Sequence, residues 1–203
     1  MQAAFLALGD SYTIGEGVPR DGNWPSQLVA RLRSEGSNVG KPRIVATTGW
    51  TTGELAAAMD AAAFEPPYAL VSLSIGVNNE YRGRPLDEYS GQFRALLQRA
   101  VSLAGGGAAR VVVVSIPDWG LTPFAAREAR DPARIAREID AFNAAARAET
   151  GDAGAHWVDV TGISRAPESR NELVDDGLHP SAAQYARWVE VILPVTRAAL
   201  RGG

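Results

Sequence analysis

Five short apolar runs punctuate the chain, and a segment with helical periodicity follows each. They are Ala3 to Leu8, Arg43 to Ala46, Ala69 to Ile75, Arg110 to Ile116 with its four consecutive valines, and His156 to Val160. Continuous apolar runs of this length predict strands of a parallel sheet covered on both faces. Five β-α units with right-handed crossovers predict an α/β fold, a three-layer α/β/α sandwich.

The intervening segments carry their own punctuation. Pro25 opens a helix to about Arg33. Thr51-Thr52-Gly53-Glu54 predicts a capping box ahead of an alanine-rich helix to Ala63. Leu86, Tyr89, Phe93, Leu96, Leu97, Ala100 and Val101 recur at spacings of three and four, with Asp87 and Glu88 in the first turn and Gly105-Gly106-Gly107 as the stop. Asp131-Pro132 reads as N-cap and first position of the next helix, with Ile135, Ile139 and Phe142 turned inward. The last helix is predicted from Pro180, through Tyr185, Trp188, Val189 and Ile192, with a kink or break at Pro194. The chain has 203 residues. No repeat, linker or composition shift divides it, so residues 1–203 are expected to form a single domain.

Composition narrows the chemistry. There is no cysteine, which excludes disulfides, thiol nucleophiles and thiolate metal sites. The two histidines, His156 and His179, are too few for a three-histidine metal centre. A formal charge of −3 with no basic run argues against a nucleic-acid partner. No apolar stretch approaches the roughly 20 residues of a membrane span. The N-terminus lacks a basic leader pattern, so a cytoplasmic location is expected, although a secreted chain with its leader removed would read the same. Nothing in the sequence specifies an oligomeric state.

In folds of this kind ligands bind beyond the carboxyl ends of the strands. Those segments are Gly9-Asp10-Ser11-Tyr12-Thr13, Thr47-Thr48-Gly49-Trp50-Thr51, Gly76-Val77-Asn78-Asn79, Pro117-Asp118-Trp119-Gly120 and, before the last helix, Asp175-Asp176-Gly177-Leu178-His179-Pro180. Asp176 precedes His179 by three residues, a spacing at which a carboxylate can accept from Nδ1–H and leave Nε2 as a base. His156 has no acid at useful spacing and reads as a strand-end residue. Taken alone, His179 could equally cap the helix that follows. Ser11 stands on a turn at a strand end, where a hydroxyl is exposed and rigid but needs a base to become a nucleophile. Its plain reading is a turn or capping serine. Gly49 N–H, the Asn78 side chain and the Ser11 amide are candidate donors to a tetrahedral oxyanion. Gly49 and Asn78 also have ordinary readings, as a turn glycine and a loop cap. Asp10 is placed to tie down the Ser11 turn.

Four blocks thus stand in order: Gly9-Asp10-Ser11, Gly49, Gly76-x-Asn78 and Asp176-x-x-His179. In this the chain resembles the SGNH hydrolases, the GDSL esterase/lipase family, over nearly its whole length. The resemblance implies a flavodoxin-like sandwich of five parallel strands in the order 2-1-3-4-5. It implies a carboxylic-ester hydrolase acting through an acyl-serine intermediate, with Ser11 as nucleophile and Asp176 and His179 completing the triad. Ser11, Gly49 and Asn78 would form the oxyanion hole. It implies no metal and no cofactor, and a small-molecule ester as partner. Asn79 departs from the family, which often has aspartate there, and Asp175 sits beside the matching Asp176. Trp50, Tyr81, Arg82, Trp119 and Phe124 fall on loops at the same sheet edge and are candidate pocket residues. The short loops favour short-chain acyl esters. Two other classes remain open. One is a flavodoxin-like phosphate or flavin binder using the hydroxyl-rich run Ser11 to Gly15. The other is a catalytically inactive, ligand-binding family member.

Overall fold

The computed structural model describes residues 2–201. Strands β1 (Phe5–Gly9), β2 (Arg43–Ala46), β3 (Leu70–Ser74), β4 (Val111–Val114) and β5 (His156–Val158) form one sheet in the order β2-β1-β3-β4-β5. Every pairing is parallel. The sheet class and strand order expected from the sequence are therefore those observed. β1, β3 and β4 are buried along their whole length, which is why these runs are apolar on both faces, apart from Ser72 and Ser74 in β3.

The long helices form as their patterns predict. Helix α2 (Trp24–Ser34) is capped by Asn23, whose Oδ1 accepts from Ser26 N–H at 2.9 Å, with Pro25 in the first turn. In α3 (Thr52–Ala61) the capping box is present: Glu54 accepts from Thr51 N–H at 2.7 Å, and Thr51 Oγ1 accepts from Glu54 N–H. Helix α5 (Leu86–Leu103) buries Tyr89, Phe93, Leu96, Leu97 and Ala100. Helix α7 (Pro132–Asp152) is capped by Asp131 and buries Ile135, Ile139 and Phe142. Helix α9 (Ala182–Arg201) packs on α2, while α5 packs on α3 and α7.

Three details differ from the sequence reading. Pro180 does not open α9: it pairs with Leu173 in an isolated antiparallel bridge, and the Ser181 carbonyl accepts the first helical bond, from Tyr185 N–H. Pro194 does not break α9, which is continuous to Arg201. Pro194 and Glu190, the residue whose carbonyl loses its donor, both lie on the exposed face, where water can satisfy that oxygen. Four short helices were not foreseen: α1 (Ser11–Ile14), α4 (Val77–Tyr81), α6 (Pro123–Arg127) and α8 (Thr161–Arg165). At four or five residues each, none spans enough turns to show a period. α1, α4 and α8 begin within three residues of a strand end, the sheet edge where the candidate site lies.

Candidate active site

The Ser11 turn is built from its neighbours. β1 ends at Gly9, and Asp10 caps α1 by accepting from Tyr12 N–H at 3.0 Å. Ser11 is the first residue of α1, so its own N–H has no partner within the helix. In the hydroxyl-rich run Tyr12 and Thr13 are buried, and Thr13 Oγ1 has no hydrogen-bond partner among the described residues.

Asp10 is itself buried, and burial pushes its carboxyl up to about 7 against the lowering hydrogen bonds of the Tyr12 and Asp10 amides. A folded-state value raised above the usual 3.8 means the folded protein keeps a proton that the unfolded chain releases. Asp10 therefore subtracts stability as pH rises from about 4 to about 7, and the loss is constant above that. Asp10→Asn retains a capping oxygen but cannot ionise. Its advantage over wild type in melting experiments should grow across that window to the order of 4 kcal/mol. An advantage independent of pH would contradict this.

The Asp176–His179 segment is a closed loop. Val174 N–H donates to the His179 carbonyl at 2.9 Å, and the Leu173–Pro180 bridge seals the base. Arg127 donates to the Asp176 carbonyl at 2.6 Å. Asp176 Oδ1 accepts from Leu178 N–H at 2.7 Å and from His179 N–H at 3.0 Å, and Oδ2 lies 2.6 Å from His179 Nδ1. Burial raises the Asp176 carboxyl, but the bonds from the His179 ring and the His179 and Leu178 amides outweigh it and hold it below its ordinary range. An ionised Asp176 makes Nδ1 the protonated nitrogen, leaving Nε2 of neutral His179 as an acceptor. Asp175 is exposed and is not the residue that meets Nδ1. The His179 ring packs against Tyr12 at 5.3 Å between centroids. His156 lies at the opposite edge of the sheet, at the start of β5, with a buried Nε2 that has no partner among the described residues.

Gly49 follows β2 at φ +87°, a left-handed conformation that favours glycine. Its carbonyl accepts from Arg82 at 2.6 Å, while its N–H takes part in no backbone hydrogen bond among the described residues. Asn78 follows β3 on α4, behind Gly76 at φ +131°. A Cβ on Gly76 would come within 2.5 Å of the Tyr89 ring. Asn78 Nδ2 donates one hydrogen to the Trp50 carbonyl at 2.9 Å, leaving its second free.

Asn79 is buried and grips the start of α3. Its Oδ1 accepts from Thr52 N–H at 3.0 Å and its Nδ2 donates to Thr52 Oγ1 at 2.7 Å, while Thr52 Oγ1 donates to Gln92. The amide thus uses both its acceptor and its donor. An aspartate could keep the amide bond and take the Thr52 hydroxyl proton, at the expense of Gln92. Asn79 is as buried as Asp10, so Asn79→Asp should be tolerated in acid and lose stability as its carboxyl ionises. Asn79→Ala leaves Thr52 N–H buried without a partner and should cost about 1–3 kcal/mol in denaturant unfolding. Wild-type stability of Asn79→Ala would show that the pair braces nothing.

Ser11, Gly49, Asn78 and His179 line one cavity of about 200 Å³, together with Thr48. No hydrogen bond joins Ser11 to His179 among the bonds of the described residues. The rest of the wall is largely apolar: Tyr12, Val77, Tyr81, Trp119, Phe124 and Leu178. Three of the five expected pocket residues, Tyr81, Trp119 and Phe124, are therefore on the cavity. Trp50 is not: it is half-buried against the core. Arg82 is not either, because it reaches the Gly49 carbonyl and Glu54 instead. Sequence reasoning missed Thr48, Val77 and Leu178, which flank motif residues. It also missed Glu80 and Arg130, which stand behind Trp119. Among the described residues, no cluster of acidic and histidine side chains could hold a metal ion. No helix there is long and apolar enough to cross a membrane.

A parallel 2-1-3-4-5 sheet carries these blocks at its carboxyl edge. The sequence pattern of the GDSL-like lipase/acylhydrolase family matches residues 7–187, and the chain belongs to that family. Solved structures share its fold. TesA is 22% identical with a TM-score of 0.75, over 97% of this chain and 99% of that one. The psychrotrophic esterase EstA from Pseudoalteromonas sp., inhibited by monoethylphosphonate, is 18% identical with a TM-score of 0.74, over 98% and 100%. The acetylxylan esterase Axe2 from Geobacillus stearothermophilus is 19% identical with a TM-score of 0.72, over 97% and 96%. A search of curated proteins gave no match.

Proposed function

We propose that the protein is a single-domain serine esterase that cleaves short-chain acyl esters through an acyl-serine intermediate. The observation that carries this reading is the convergence of Ser11, Gly49, Asn78 and the Asp176-oriented His179 on one cavity. Ser11 Oγ attacks the ester carbonyl carbon as His179 Nε2 takes its proton. The oxyanion accepts from Ser11 N–H, Gly49 N–H and the free hydrogen of Asn78 Nδ2. Collapse breaks the bond to the alkoxy oxygen, and His179 returns the proton to the departing alcohol. Water then attacks the acyl-serine with His179 again as base, releasing the acid and restoring Ser11. Substrate binding has to close the contact between Ser11 and His179, as free enzymes often leave it open.

A cavity of about 200 Å³ lies below the roughly 300–1,000 Å³ of most ligand pockets, which supports acyl groups of a few carbons. The test is a p-nitrophenyl ester series from acetate to decanoate, with acetylated sugars and a lysophospholipid alongside. Activity should peak at short acyl chains. A peak at decanoate would overturn the chain-length reading, and no hydrolysis of any ester would overturn the esterase reading.

A further inference from the structure

Resting on the esterase reading, we propose that Glu80 is a positioning residue that sets acyl-chain selectivity by clamping Trp119 into the cavity wall. Glu80 is almost completely buried. Its Oε2 accepts from Trp119 Nε1–H at 2.8 Å, and its Oε1 accepts from Arg130 at 2.9 Å. The Arg130 guanidinium lies over the Trp119 ring at 4.8 Å and over the Tyr81 ring at 5.6 Å. Trp119 is thus held at its edge by a carboxylate and on its face by a cation. In front of it, Trp119, Tyr81 and Phe124 form a mutually contacting set with centroids 5.4 to 6.1 Å apart. All three line the cavity that holds Ser11 and His179.

The cost of this arrangement is informative. Burying a carboxylate is expensive, and an apolar replacement of similar volume is often more stable. Burial accordingly pushes the Glu80 carboxyl up, against the lowering bond from Trp119 and the charge of Arg130. Cohesion alone would favour a leucine there. What the carboxylate adds is direction: it fixes one rotation of an indole whose face forms a wall of the site. Its position on α4, two residues after Asn78, ties that wall to the element carrying the oxyanion donor. The segment after β4 is thereby locked to the segment after β3.

The clamp should matter in proportion to how much acyl chain touches the wall. On this proposal a short acetyl group makes little contact with the wall, and a longer acyl chain makes more. For Glu80→Ala and for Trp119→Phe, which lacks the N–H, kcat/KM on p-nitrophenyl hexanoate should fall about tenfold or more, chiefly through KM, while acetate changes about threefold or less. Glu80→Gln keeps an oxygen for the indole N–H and should keep the wild-type length profile. The double variant Glu80→Ala/Trp119→Phe should be no worse than either single one, since both break one contact. If Glu80→Ala does not fold, as melting would reveal, Trp119→Phe and Glu80→Gln carry the test. A loss equal for acetate and hexanoate, or a Gln variant that behaves like the Ala variant, would overturn the proposal while leaving the esterase reading intact. If the wild type cleaves no ester of either length, the esterase reading has failed and the proposal falls with it.

Discussion

Ser11→Ala is expected to lower kcat on p-nitrophenyl butyrate by roughly 10⁵- to 10⁶-fold, leaving a residue of activity from the oxyanion donors alone. The size follows from what the hydroxyl does. Without it there is no covalent intermediate, and His179 has no proton to move in the first step. The variant retains the three candidate oxyanion donors, because Gly49 N–H, the Asn78 amide and the residue 11 N–H are untouched. It also retains the Asp10 cap, which bonds Tyr12 N–H and not the serine side chain. Its melting temperature should therefore stay close to wild type, so that lost activity is not mistaken for lost fold. Steady-state kinetics and a thermal melt on the same preparation check both halves.

Asp176→Asn should cost about 10⁴-fold in kcat, and the hydrogen bonds on the carboxylate say why so small a change is so damaging. Oδ1 accepts from two backbone amides, Leu178 and His179, while Oδ2 meets Nδ1. An asparagine must turn its oxygen to the two amides, since its NH₂ cannot accept from them. The NH₂ then faces His179 Nδ1 and donates to it. That selects the tautomer with the proton on Nε2, which cannot act as a base. Asp175→Asn makes no such demand and should change kcat less than about threefold. If the two results are reversed, the acid is Asp175. Asp176 is held below its ordinary range, so it stays ionised as the solution is acidified.

The parts legible in the sequence share one property: their signal is local. β4 is a continuous apolar run and β3 is one interrupted only by Ser72 and Ser74, while α5 and α7 show several turns of 3.6-residue period, α7 with an Asp131 cap at its start. The Asp176–His179 pair is legible for the same reason, since three residues in a glycine-containing turn fix its geometry. What escaped depends on distant partners. Asn79 braces its loop against Thr52, 27 positions away. Glu80 finds Trp119 39 positions on and Arg130 50 positions on. No spacing rule brings such residues together; only the packing of the segments after β3 and β4 does. Trp50 shows the converse. Its place after β2 suggested the pocket, yet the turn at Gly49 leaves its ring against the core. Chain position predicts the sheet edge a residue occupies, not the direction its side chain takes. Pro194 adds a further lesson, because whether a proline breaks a helix depends on whether the orphaned carbonyl can reach water.

The covalent step can be observed without knowing the physiological ester. The wild-type protein should be treated with a fluorophosphonate, digested, and mapped by mass spectrometry. A single phosphonyl adduct on the peptide containing Ser11, formed more slowly in Asp176→Asn and absent in Ser11→Ala, is the expected result. No adduct, or an adduct on a residue other than Ser11, would contradict the account.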